Sequence, residues 1–334
     1  MTIALPDARS LREPLSLARS LKPLLQRVAS GWSNVLDEAA TIDLIINEKL
    51  WLPTFKPNLE PWLDLVLVVD ESLSMQIWQR TIAELKRFLA AYGVFRDVRV
   101  YSLVIENDRA FVRPRLGTAG QTQTLRNPQE LIDPSGRRLI LVATDCVSGF
   151  WRTGELLPAL QLWAKSSPMA IVQMLPEWLW NRSGLGLAAT VRFTAQAAGT
   201  PNDRLMATSI SFCDDFDLDL GVKVPVVTLE PEPIEAWAQL VAGKGGVRSP
   251  GVVFDPEPMA TDSAFGSRTG GGSGEERVRR FQATASPMAR QLAMILAAAP
   301  AINLPIVRIL QDRLLPESQQ VHVAEVFWAA CSNR

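Results

Sequence analysis

The chain has 334 residues with 34 Lys and Arg, 35 Asp and Glu and a formal net charge of -1, so no overall basic excess draws it to nucleic acid or anionic lipid. Hydrophobic residues at 47% and charged residues at 21% suit an ordinary globular chain, large enough for one large domain plus a small one, or two domains. Its single histidine, His322, argues against His-based triads and multi-histidine metal sites, and three scattered cysteines (Cys146, Cys213, Cys331) argue against a disulfide framework and fit a reducing cytoplasm.

The N-terminus, Met1 to Leu15, mixes charged with apolar residues and is not expected to be a signal peptide. The first fifty residues read as helix. Leu15, Leu17, Ala18, Leu21, Leu24 and Leu25 recur at three- and four-residue spacing, and Asp37 to Lys49 suits a second helix. Pro53, Pro57 and Pro61 then mark a boundary, giving an N-terminal helical segment over 1–56.

An α/β domain is expected over 57–260. Leu63 to Val69 (LDLVLVV) is the near-continuous apolar run of a strand buried on both faces. Trp78, Ile82, Leu85, Leu89 and Tyr92 form one stripe of an amphipathic helix that Gly93 is placed to end. Asp97 to Ile105 is a second strand, with a hairpin return through Asn107-Asp108. Arg138 to Thr144 (RLILVAT) is another buried strand, followed by a helix from Gly154 to Lys165 and a strand from Met169 to Leu175. Weaker strands are Thr190 to Thr194 and Met206 to Phe212; Val222 to Leu229 is the last clear one, and a helix follows from Ile234 to Val241. This alternation implies a doubly wound, mostly parallel sheet with helices on both faces. Thr261 to Glu276 is rich in Gly, Ser and Thr and reads as a flexible linker over 261–276. The pattern of 277–334 is helical and Pro-punctuated, as for a small C-terminal domain; its apolar stretch from Leu292 to Pro305 is too short to span a bilayer. The ten tryptophans are read as packing.

The first buried strand closes in Asp70-Glu71-Ser72-Leu73-Ser74, a D-x-S-x-S sequence, and the Arg138 to Thr144 strand closes in Asp145. In a parallel sheet the carboxyl ends of neighbouring strands share one edge, where ligands bind. Two carboxylates and two hydroxyls are hard oxygen ligands, suited to magnesium. The competing interpretation is that Ser72 or Ser74 only caps the following helix. Removing Asp70 is expected to relieve repulsion between two close carboxylates.

Over roughly Trp62 to Gly243 these motifs resemble the von Willebrand A (vWA) family, a Rossmann-like fold, and its metal-ion-dependent adhesion site (MIDAS). The resemblance implies a metal role for Asp70, Ser72 and Ser74, and a later-aspartate role for Asp145. It also implies a threonine from an intermediate loop; Thr118, Thr122 and Thr124 are open to that role, and Thr118 is carried with the metal set. The segments WLDLVLVVDESLSM, FRDVRVYSL, LIDPSGRRLILVATDCVSGFWRTGELLPAL and VPVVTLEPEPIEAWAQLVAG are similar to those of vWA-like components that accompany MoxR-type AAA ATPases in bacterial conflict (defence) systems. SLARSLKPLL and LPIVRILQDRLLPESQQVHVAEVFW extend the likeness over most of the chain. Members often precede an effector module like the formylglycine-generating enzyme. The resemblance implies a non-catalytic sensing or scaffolding role, with a protein partner that is such an ATPase or an effector. No membrane partner is implied, and Arg277, Arg279, Arg280 and Arg290 form no recognition-helix pattern for nucleic acid. The alternative function is a magnesium-dependent phosphohydrolase using the same Asp/Ser site.

Other motifs fall short. Gly184-Leu-Gly186-Leu-Ala-Ala189 matches a dinucleotide fingerprint but does not directly follow a strand, and reads as a loop. Gly243-Lys244-Gly245 reads as a helix stop, and Asp215, Asp217 and Asp219 lack the glycine and glutamate of a calcium loop. Cys146 is expected to be a buried small hydrophobe.

Overall fold

The computed structural model describes residues 11, 13–115, 124–210, 218–255, 274–299, 302 and 304–331. In chain order the elements begin with α1 (Pro14–Ser20), β1 (Arg27–Leu36), α2 (Glu38–Glu48), β2 (Phe55–Pro61), β3 (Asp64–Asp70), α3 (Gln79–Ala91), β4 (Val98–Glu106) and β5 (Arg109–Pro114). There follow β6 (Arg138–Thr144), α4 (Gly149–Thr153), α5 (Leu157–Ser166), β7 (Met169–Gln173), β8 (Ala189–Thr194), β9 (Met206–Ser209), β10 (Val222–Val227), α6 (Pro231–Val241) and β11 (Ser249–Phe254). Four more helices follow among the described residues: α7 (Gly274–Thr284), α8 (Pro287–Ala297), α9 (Leu304–Leu314) and α10 (Gln320–Cys331).

Among the described residues the main sheet has nine strands in the order β5-β4-β3-β6-β7-β10-β11-β8-β9. Its core, β4-β3-β6-β7-β10, is parallel. The hairpin partner β5 on one side and the β11-β8-β9 wing on the other are antiparallel. The β4–β5 turn places Asn107 and Asp108 at φ 49 and 58, the conformation a tight hairpin needs.

Burial on both faces explains the apolar runs. Along β3, Leu65, Leu67 and Val69 face one core, while Val66 and Val68 face the other; β6 splits the same way. The first core is covered by α1, α3, α6 and the C-terminal helices, through residues such as Leu17, Leu85, Trp237, Leu296 and Val323. The second is covered by α4 and α5, through Trp151, Leu160 and Trp163. The chain therefore leaves β3 over one face toward β4, and leaves β6 over the other toward β7. Between those two carboxyl ends lies the switch point where open α/β sheets bind ligands.

Two expectations need correction. The segment 1–56 is not helical throughout: residues 27–36 form β1, paired antiparallel with β2. Gly31 and the Ser and Asn residues of that stretch are poor helix formers, and cross-strand pairing prevails. The strand from Val222 is also not the last. β11 follows it, and the sheet is mixed beyond its parallel core. Gly251 hid this strand from a pattern reading, yet a Cβ there would lie 2.4 Å from the Phe193 ring, so only glycine lets the strands pack. Of the expected linker, 261–273 lies outside the described residues, and 274–276 opens α7. No helix among the described residues is long and apolar enough to cross a membrane.

Candidate metal centre

Asp70 closes β3, and the chain turns through Glu71 and Ser72 into a 3-10 turn, Leu73–Trp78, that runs into α3. The Asp70 side chain shapes this turn: its Oδ1 accepts from Ser72 N at 2.8 Å, an Asx-type closure. The turn brings Ser72 Oγ to 3.1 Å from Ser74 Oγ, and Ser74 Oγ donates to Asp145 Oδ1 at 3.0 Å. Parallel pairing of β3 with β6 supplies the other half. Thr144, the last residue of β6, donates from Oγ1 to Asp70 Oδ2 at 2.8 Å, so Asp145 follows at the same edge. Asp70, Ser72, Ser74 and Asp145 thus form one hydrogen-bonded chain. Thr118 and Thr122 lie outside the described residues, and Thr124 is exposed.

The hydroxyls are not helix caps. Ser72 precedes the 3-10 turn without a side-chain cap bond, and α3 starts from Trp78 with none. Their side chains point instead at each other and at Asp145.

Two further residues hold Asp70. Trp151 Nε1 donates to Asp70 Oδ2 at 3.3 Å alongside Thr144, whose Oγ1 also accepts from Cys146 N at 2.9 Å. Thr144 was visible in the sequence as the close of a buried strand, but nothing local marks Trp151, which reaches Asp70 across 81 residues. Cys146 turns the chain at φ 55, and its carbonyl accepts from Gly184 N at 2.7 Å. Gly184 lies under Trp151, since a Cβ there would be 2.6 Å from Trp151 Cβ. The glycines that mimic a dinucleotide fingerprint therefore serve close packing: a Cβ on Gly186 would also strike the Asn181 carbonyl at 2.4 Å.

Both carboxylates are buried, Asp70 at 2% and Asp145 at 3% exposure. Burial pushes Asp145 up to about 6, and the Asp70 charge adds to this, against the bonds from Ser74 and Val147 N. The buried Cys146 thiol is pushed well above its ordinary value by burial and then by the two aspartates. Among the described residues neither aspartate is ion-paired; Glu71 is paired with Arg113 of β5. A cation would relieve this uncompensated negative charge. The donor set of two carboxylates and two hydroxyls fits magnesium, which takes oxygen and keeps several waters. No cluster of three or more His, Cys, Asp or Glu occurs among the described residues, so a metal here would rest on the hydroxyls as well.

The remaining motifs are structural or lie outside view. Gly243, at φ 69, follows α6 and packs against Ala197 and Ala198. Asp219 accepts from the buried Lys223, while Asp215 and Asp217 lie outside the described residues. His322 Nδ1 accepts from Gln319 N at the start of α10. In comparisons with known proteins, no family model matches the chain and no curated protein matches it.

Proposed function

We propose that the chain is a vWA-like interaction module whose metal edge recognises an acidic group on a protein partner. One observation carries the reading: Asp70, Ser72, Ser74 and Asp145 share a hydrogen-bonded chain where adjacent parallel strands end at the switch point. The antiparallel edge strand beside a parallel core supports the vWA comparison. Ser72, Ser74, Asp70 and Asp145 would hold the cation, with Thr118, Thr122 or Thr124 as a further ligand. A bound divalent ion supplies an electrophilic point for a partner's Asp or Glu. The protein's own part is preorganisation: Thr144 and Trp151 fix one Asp70 oxygen, and Ser72 N fixes the other. The resemblance to conflict-system components makes a MoxR-type AAA ATPase, or an effector, the proposed partner.

The phosphohydrolase alternative fits this arrangement less well. Both Asp70 oxygens are taken by donors, leaving a poor nucleophile, and no Lys or Arg among the described residues contacts either carboxylate. The test is thermal melting with magnesium or manganese against chelator. The wild type should gain stability in proportion to ln(1 + [L]/Kd), and Ser72→Ala and Ser74→Ala should lose most of the gain. No shift in the wild type would remove the metal from the proposal. Magnesium-dependent phosphate release that Asp70→Asn abolishes would favour the hydrolase.

A further inference from the structure

The two halves of the candidate metal centre are joined a second time, through the C-terminal helices. α10 packs on the turn Leu73–Trp78 that carries Ser74, and Val323 of α10 is buried in the same core as Met75, Ile77 and Trp78. The first residue of α10 is tied to the first turn of α3: the buried Thr81 Oγ1 donates to Gln320 Oε1 at 2.6 Å. Further along α10, the buried Glu325 carboxylate accepts from Ser286 N and from Ser286 Oγ, both at 2.8 Å, where α7 gives way to α8. At that same junction the Thr284 carbonyl accepts from Arg182 Nη2 at 3.1 Å, and the Arg182 carbonyl accepts from Arg152 Nη2 of α4 at 2.9 Å. Arg182 ends the 3-10 turn Glu177–Arg182, and Gly184 just beyond it donates to the Cys146 carbonyl beside Asp145. Contacts therefore run without a break from the Ser74 turn through α10, Glu325 and Arg182 to the loop of Asp145.

The Ser74 turn needs such support. It is 3-10, a geometry with poorer hydrogen bonds than an α-helix, and no side chain caps it. Its order comes from burial of Met75, Ile77 and Trp78, and α10 supplies part of the surface that buries them. We infer that the C-terminal helices strap this turn in its ligating geometry, so that a partner which draws α10 off the turn lowers the affinity of the edge for its cation. The inference rests on the metal reading proposed above and adds its control. Linkage makes the effect reciprocal: a cation held at Ser72 and Ser74 tightens the seat of α10 by the same factor that α10 tightens the cation. The element that both sites bias is the turn itself, which lies between them in contact with each.

The test is hydrogen exchange of the full chain in chelator and in magnesium, with a magnesium titration, for the wild type, Thr81→Val and Val323→Ala. Thr81→Val removes the bond to Gln320 and keeps the side-chain shape; Val323→Ala thins the contact of α10 with the turn. In chelator the turn should exchange faster in both variants, while β3 and β6 stay protected and show the body folded. Magnesium should slow exchange in the turn and in α10 of the wild type. The magnesium dissociation constant should rise at least about fivefold in both variants, the lower end of coupling between sites. Should Val323→Ala loosen β3 and β6 as well, Thr81→Val alone decides. Equal magnesium affinity in wild type and variants overturns the inference and leaves the metal reading intact. A wild type whose turn and α10 ignore magnesium removes the metal reading, and its control by α10 falls with it.

Discussion

Ser74 Oγ donates a hydrogen bond to Asp145 Oδ1 at 3.0 Å, tying together two loops that are 71 residues apart in the chain. Asp145 is buried and also accepts from Val147 N at 3.1 Å. Ser74→Ala should therefore cost about 1.5–3 kcal/mol, the range for a bond to a charged group. Urea unfolding in chelator checks this. The cost should shrink at acid pH, where the carboxylate is neutral.

The pH dependence of the metal-free protein follows from Asp145. Its folded value of about 6 lies above the ordinary 3.8, because burial and Asp70 disfavour the charged form. The folded state thus holds this proton more tightly than the unfolded chain does. The resulting stability is fully present below the unfolded value and is lost as pH rises through the folded one, an effect of about 3 kcal/mol. Asp145→Asn should flatten that portion of a stability-against-pH curve measured in chelator. A curve identical to the wild type's would show that Asp145 is not the titrating group.

Asp70→Ala should destabilise the protein, contrary to the sequence expectation that it relieves repulsion. Asp70 accepts from Ser72 N, Thr144 Oγ1 and Trp151 Nε1. Truncation orphans these donors at about 1–3 kcal/mol for each that water cannot reach, which outweighs one carboxylate pair. We expect a net loss of about 2–4 kcal/mol, and a smaller one for Asp70→Asn, which keeps an acceptor oxygen. Denaturant midpoints in chelator would decide it; an alanine variant as stable as the wild type would refute the argument.

Gly184→Ala should disturb the same site from outside it. The new methyl would lie 2.6 Å from Trp151 Cβ and 3.2 Å from its carbonyl oxygen, neither of which is a flexible chain end. Overpacking of this kind costs about 1–3 kcal/mol. Displacing Trp151 should also alter tryptophan emission and shrink the magnesium-dependent melting shift, because Trp151 holds Asp70.

Cys146 should be inert in the folded protein. It is fully buried, and burial holds its thiol protonated. In a Cys213→Ser, Cys331→Ser background, a thiol reagent should react only at the rate of unfolding.

Local sequence determined the buried strands and the two motif ends. A strand buried on both faces must be apolar at every position, so LDLVLVV and RLILVAT announce themselves, and polar residues that close such strands stand out. It also marked Gly93 as a helix stop, and Asn107-Asp108 as a hairpin turn. Tertiary structure alone decided which strand ends are neighbours. Pairing of Val69 with Ala143 sets Asp70 beside Thr144, and from there Trp151 reaches the same carboxylate. It also made the Gly-rich turn at 184–186 a packing surface and added the β11-β8-β9 wing. Strand order, and the contacts it makes across many tens of residues, depend on how the whole chain buries its surface, which no local periodicity encodes.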